Sequence, residues 1–230
     1  MPQYKAVLLD AGDTLIDFYG TGERVTRLVQ EHTGQAIPFA QATPYFAAAF
    51  QHAYAGQDHL LWVNTQEAEQ VYWQGYYTGW LQAAGVPATP ALVAELVADT
   101  LQLDIYAPFA DAVPTLEALT AAGVRLVLIS NAFPSMAAIM RHLDLERYFA
   151  HCLYSCTVGC EKPQAEIFHL ALAAAGVPAA ATCFVDDVPR NIEAARALGI
   201  PSYLLDRHDH HPASPLPRLA TLTALAEVLS

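Results

Sequence analysis

Five short apolar runs set the strongest constraint on what this chain folds into. They are KAVLLD (5–10), VRLVLIS (124–130), CLYSC (152–156), TCFVD (182–186) and SYLLD (202–206). Each is apolar without alternation, as expected of a strand buried on both faces in a parallel sheet. Between the runs, apolar residues recur at helical spacing over 111–122, 134–148, 164–175 and 189–198. Gly123, Gly176 and Gly199 stand where such helices stop. Strand alternating with helix predicts an α/β fold built on a doubly wound parallel sheet.

Residues 18–105 interrupt that alternation. They read as successive helices at roughly 21–34, 40–55, 66–84 and 89–102, broken at Gly34 to Pro38, Gly56 to Asn64 and Gly85 to Pro90. The expected division is a core of 1–17 and 106–230 with a helical cap of 18–105. The edges of the cap fall at Gly20–Gly22 and Tyr106–Pro108. An insertion at the C-terminal end of a first strand is placed over the ligand-binding edge of such a sheet, where it can act as a lid. The cap is rich in aromatics, including Tyr45, Phe46, Tyr54, Trp62, Tyr72, Trp73, Tyr76, Tyr77 and Trp80. At helical spacing these read first as helix core. The other use for Tyr76, Tyr77 and Trp80 is to line a cleft or an oligomer contact.

Composition narrows the function. Hydrophobic residues make up 54% of the 230 residues and charged residues 15%, which suits a packed globular chain. No apolar stretch approaches the roughly 20 residues that span a bilayer. The N-terminal MPQYKAVLLDAG lacks the basic head and apolar stretch of a signal peptide, so a cytoplasmic location is expected. The net charge of -12 disfavours nucleic acid and anionic membranes as partners. A phosphorylated small molecule would need a cation and local basic groups at its site. The expected assembly is a monomer or homodimer. Cys152, Cys156, Cys160 and Cys183 form no C-x-x-C pair and read as free thiols.

Four polar signals stand at the ends of the apolar runs. Asp10 ends the first and is followed by Ala11-Gly12-Asp13-Thr14-Leu15. Ser130-Asn131 ends the second, where a hydroxyl or backbone N–H can meet a phosphate oxygen. Lys162, one of only two lysines, precedes Pro163, which is read as opening a helix. Asp186-Asp187 ends the fourth run, with Asn191 on the helix that follows. Adjacent carboxylates there call for a cation or hydrogen-bond donors, and hard oxygen ligands suit Mg²⁺. The H-x-H-H run of His208, His210 and His211 reads as an exposed loop, with a metal site as the lesser alternative.

The order LLDAGDTL, VLISN, GCEKPQAEIF and VDDVPRNIEAARALGI resembles the haloacid dehalogenase-like hydrolases, in the subfamily with a helical cap after the first strand. The later LLDRHD resembles a phosphatase-like branch of unclear substrate. The resemblance implies a Rossmann-like core and a movable cap. It implies Asp10 as nucleophile, Ser130 and Asn131 as phosphate binders, and Lys162 as a phosphate-contacting organiser of the nucleophile. Mg²⁺ would be held by Asp10, the carbonyl of Gly12 and Asp187, with Asp186 as the other choice. Asp13, Thr14 and Asn191 are further candidates near the site.

One departure stands out. Phosphatases of this family carry an acid–base Asp two residues after the nucleophile, where this chain has Gly12. Asp13 could replace it only if the loop turned it inward. The leading expectation is a Mg²⁺-dependent hydrolase of a small phosphate monoester, working through an aspartyl-phosphate. One alternative is a metal- or phosphate-binding homologue with weak catalysis. Another is a metal-independent haloacid hydrolase, against which the Asp186-Asp187 pair argues. Carbon–phosphorus cleavage would need a cap lysine, and residues 6–161 contain none.

Overall fold

The computed structural model describes residues 4–18, 21–54 and 61–228; Gly20 and Gly56, which mark predicted edges and breaks, lie outside them. In chain order the elements are β1 (Ala6–Leu9), β2 (Ile16–Phe18), α1 (Thr21–Thr33), α2 (Phe39–Tyr54), α3 (Gln66–Ala83) and α4 (Pro90–Thr100). Then come β3 (Tyr106–Pro108), α5 (Ala112–Ala121), β4 (Arg125–Ser130), α6 (Ser135–His142), β5 (His151–Tyr154) and α7 (Ser155–Val158). The rest are α8 (Ala165–Ala175), β6 (Thr182–Asp186), α9 (Pro189–Ala197), β7 (Ser202–Leu205), β8 (Arg218–Leu219) and α10 (Leu225–Val228). Among the described residues no helix is long and apolar enough to cross a membrane.

The fold is the expected Rossmann-like α/β type. A six-stranded parallel sheet runs in the order β5-β4-β1-β6-β7-β8. Its central strands are apolar because helices cover both faces: Val7, Leu8, Leu9, Leu128, Phe184 and Val185 are all fully buried. On one face Leu8, Val127, Ile129 and Phe184 pack with Ile167, Phe168 and Ala171 of α8 and Ile192 and Ala195 of α9. The φ angles of 63° at Gly176 and 76° at Gly199 show why glycine ends α8 and follows α9, since a side chain strains the left-handed backbone there.

Several local expectations shift. CLYSC does not continue as a strand through Cys156: pairing ends at Tyr154, and Ser155 begins α7. The helix expected over 134–148 stops at His142, and Asp144 turns the chain at φ 56°. Pro163 does not open α8, which starts at Ala165. The short strands β2 and β3 pair as a separate two-stranded ribbon.

The chain divides into two units. One comprises Met1–Asp17, Tyr106–Ala132 and Met136–Ser230; the other comprises Phe18–Ile105 with Phe133–Ser135. The helical unit has its own core of Trp80, Tyr72, Tyr77, Leu81, Leu92 and Leu96, each no more than 1% exposed. Tyr45 meets Trp80 edge-on at 5.5 Å. Trp80 and Tyr77 are therefore core side chains of this unit. Thr65 and Thr89 cap α3 and α4 by accepting the N–H groups of Ala68 and Leu92. Phe133–Ser135 joins this unit for side-chain reasons. The Phe133 ring lies 4.7 Å from Tyr72 and 5.3 Å from Trp73, and Glu69 accepts the backbone N–H of Ser135 at 2.9 Å and its hydroxyl at 2.5 Å.

Candidate active site

Every candidate residue lies in the sheet unit, at the C-terminal edge of three neighbouring strands. β1 sits between β4 and β6, with Leu9 level with Leu128 and Val185. Asp10, Ser130 and Asp186 therefore emerge side by side where the winding of the sheet reverses, the place where such sheets bind ligands. The Asp10 N–H still donates to the Val185 carbonyl at 3.1 Å, so the carboxylate is fixed by the end of the ladder. The chain then turns tightly. The N–H groups of Leu15 and Ile16 both donate to the Ala11 carbonyl, and Asp13 adopts φ 52°. That turn leaves Asp13 exposed and buries Thr14, whose Oγ1 has no hydrogen-bond partner among the described residues.

Lys162 is 2% exposed and lies between two carboxylates. Its Nζ donates to Asp10 Oδ1 at 2.5 Å and to Asp186 Oδ2 at 2.7 Å. The two carboxylates outweigh its burial and hold it above the ordinary lysine value, so it stays charged. Burial pushes Asp10 up to about 6, against the pull of Lys162. Asn131 explains how the lysine is placed. Its Oδ1 accepts the Lys162 backbone N–H and its Nδ2 donates to the Lys162 carbonyl, both at 2.7 Å. The Asn131 side chain is thus engaged by the lysine backbone. Ser130 is buried at the end of β4, one residue earlier.

Asp186 and Asp187 differ sharply. Asp186 is fully buried and its oxygens are taken. Oδ1 accepts the Val188 N–H at 2.8 Å and Asn191 Nδ2 at 3.0 Å, and Oδ2 accepts Lys162 and, at 3.1 Å, Asn191. Asn191 thus serves as a brace for Asp186. Asp187 is half-buried and has no ion-pair partner among the described residues. Burial and the nearby charges of Asp10, Asp186 and Asp13 push it up to about 8. One lysine answers the two carboxylates of Asp10 and Asp186, so negative charge is left over.

Two residues that sequence reasoning passed over frame the site. Arg207, just after β7, donates to Asp111 through Nη1 and Nη2, both at 2.9 Å, and through Nη2 to the Thr14 carbonyl at 2.8 Å. It thereby holds the loop that follows β1. Asp111 also accepts the Leu222 N–H at 2.8 Å. A cavity of about 110 Å³ lies alongside, with Asp13, Asp187, Arg207, His208, His210 and His211 among its walls. Among the described residues none of the four cysteines forms a disulfide.

A family model for haloacid dehalogenase-like hydrolases matches residues 4–199. The chain is 32% identical over 214 residues to haloacid dehalogenase-like hydrolase domain-containing protein 3 of Danio rerio, covering 88% of this chain and 85% of that protein. A shorter match, 34% over 91 residues, links 39% of this chain to 41% of the GMP/IMP nucleotidase YrfG of Escherichia coli (strain K12). Among solved structures, the L-2-haloacid dehalogenase RSc1362 superposes with a TM-score of 0.75 at 20% identity, over 98% of both chains. The motif order, the strand-end geometry and these similarities agree, and the chain belongs to the haloacid dehalogenase-like hydrolases.

Proposed function

We propose that the protein hydrolyses a small phosphate monoester, with Asp10 as nucleophile and Mg²⁺ as cofactor. The observation that carries this reading is the pairing of a lysine-held carboxylate, Asp10, with an uncompensated one, Asp187, at the C-terminal edge of adjacent strands. The nucleotidase name of the Escherichia coli relative is in keeping with a phosphate ester as substrate.

The donor set fits the metal. Asp10, the Gly12 carbonyl and Asp187 offer hard oxygens, while Asp186 is occupied by Lys162 and Asn191. Among the described residues no group of three His, Cys, Asp or Glu side chains is placed to hold a metal ion, so the set proposed here adds a backbone carbonyl to two carboxylates. Mg²⁺ suits such an open set, because it keeps several of its waters. When bound, the cation neutralises charge between the carboxylates and the phosphate oxygens. The residues of the chain do the rest. Lys162 orients Asp10 and screens it from Asp186. The Ser130 hydroxyl, at the end of the neighbouring strand, donates to a phosphate oxygen. An Asp10 oxygen attacks phosphorus, the ester oxygen leaves with its electron pair, and water then hydrolyses the aspartyl-phosphate.

The test is a panel of phosphate esters with and without Mg²⁺, run beside Asp10→Asn. Turnover that requires Mg²⁺ and disappears in the variant is expected. Turnover unchanged by Asp10→Asn overturns the reading. Mg²⁺ binding without turnover of any ester favours the weakly catalytic homologue, and halide release without metal favours a dehalogenase.

A further inference from the structure

Phosphoryl transfer to Asp10 leaves a departing oxygen that needs a proton, and Gly12 has no side chain to supply one. The loop after β7 is built beside that gap. β7 neighbours β6, so the loop emerges at the same sheet edge as Asp186-Asp187. Two anchors fix it. Asp206 accepts the N–H groups of His210 at 2.8 Å and His211 at 3.1 Å, together with Arg218 Nη1 at 2.9 Å. Arg207 is clamped to Asp111 and to the Thr14 carbonyl of the nucleophile loop, with its guanidinium 4.0 Å from the Phe109 ring centre.

These anchors hold the loop backbone beside the cavity. The His208 and His210 rings lie 5.4 Å apart and wall the same cavity as Asp13 and Asp187. Both are otherwise exposed, so they can exchange protons with bulk water. Imidazole is the side chain suited to give and take a proton near neutral pH. The charged and titratable groups lining cavities with the pair are Asp13, Asp187, Asp206, Arg207 and His211, with Asp209 and Arg218 beside His208.

We propose that the His208–His210 pair performs the proton transfers that Gly12 cannot, an inference that rests on the phosphatase reading above. In the first half-reaction the P–O bond to the leaving group breaks, its electron pair stays on that oxygen, and an imidazolium N–H proton passes to it. In the second, the now neutral imidazole takes a proton from water as the water oxygen attacks phosphorus. The P–O bond to Asp10 breaks, the electron pair returns to the carboxylate, and inorganic phosphate leaves. The charged imidazole is regenerated.

The experiment compares the wild type with His208→Gln, His210→Gln and the double variant on Mg²⁺-loaded protein, across alkyl and aryl phosphates of graded leaving-group acidity. Loss of a general acid costs most where the leaving group is poor. The double variant is expected to lose about 100-fold in kcat/KM on alkyl esters, at least about tenfold more than on p-nitrophenyl phosphate. The dependence of log kcat/KM on leaving-group pKa should steepen accordingly. Adding Gly12→Asp to the double variant should flatten it again. Equal losses across the series, or no loss, overturn the proposal. Thermal unfolding monitors folding, and if the double variant is unstable the single variants carry the same comparison. Asp10→Asn on p-nitrophenyl phosphate separates the two claims. If it abolishes turnover while the histidine variants leave the dependence unchanged, only the histidine proposal fails.

Discussion

Each unit of this molecule buries a charge, and the two charges are satisfied in different ways. Lys162, in the sheet unit, is held by two carboxylates, and a third, Asp187, has no ion-pair partner among the described residues. Glu69, in the helical unit, is 2% exposed and meets no cation among the described residues. It accepts hydrogen bonds from the N–H and hydroxyl of Ser135 and, at 3.4 Å, from Trp73 Nε1. The helical charge is consumed in holding Phe133–Ser135 against the aromatic core. At the sheet edge, paired charges still leave a net negative field, which a cation and a phosphate can share. A buried charge answered only by dipoles is structural, whereas an overfilled cluster is available for chemistry.

This contrast can be broken by substitution. Lys162→Met leaves Asp10 and Asp186 facing each other in a buried site. It should cost about 3–5 kcal/mol in denaturant unfolding, with turnover lost at least about 100-fold. Glu69→Ala strips Ser135 of its acceptor and should cost about 2–3 kcal/mol. Glu69→Gln keeps an acceptor in place and should cost less than half as much. Equal losses for Ala and Gln would mean that the charge itself matters in the helical unit, and the contrast would collapse. Gly79→Ala sharpens the packing side. A Cβ there would meet His52 Cβ at 2.5 Å and Ala49 Cα at 3.3 Å, so α2 and α3 must separate, at about 1–2 kcal/mol by the same assay.

The smallest effect is expected at Asp206. Burial pushes its carboxyl upward, but the N–H groups of His211 and His210 and the Arg218 guanidinium outweigh it and hold the pKa below the ordinary value. A lowered folded pKa means stability that is present above the unfolded value of about 3.9 and lost as pH falls through the folded one. Asp206→Asn should therefore lower Tm at pH 7, and the gap to wild type should close as pH falls below about 4. A gap that persists in acid would assign the effect to shape.

The strand ends were legible because an apolar run that stops at a carboxylate announces its own boundary. Thr182–Asp186 begins and ends as its residues suggest. Asp10, Lys162 and Asp186 were readable as a group because each closes or follows such a run. Other features depend on partners distant in the chain. Asn131 braces the backbone of Lys162, 31 residues on, and nothing local marks it. Arg207 is 193 residues from Thr14. β2, β3 and β8 are two or three residues long, too short for periodicity to register. Glu69 did carry a signal: it stands three residues before Tyr72 and four before Trp73, on the aromatic stripe of α3, where a carboxylate needs a reason to be buried.

The central claim is that Asp10 carries the phosphoryl group in mid-reaction, and trapping that group tests it most directly. Wild-type protein with Mg²⁺ and a turned-over ester is quenched in acid during a single turnover, digested, and its peptides are weighed. The account predicts one hydroxylamine-sensitive phosphoryl group on the peptide containing Asp10, absent from Asp10→Asn. Turnover with no label on that peptide, or a label that survives in Asp10→Asn, would contradict it.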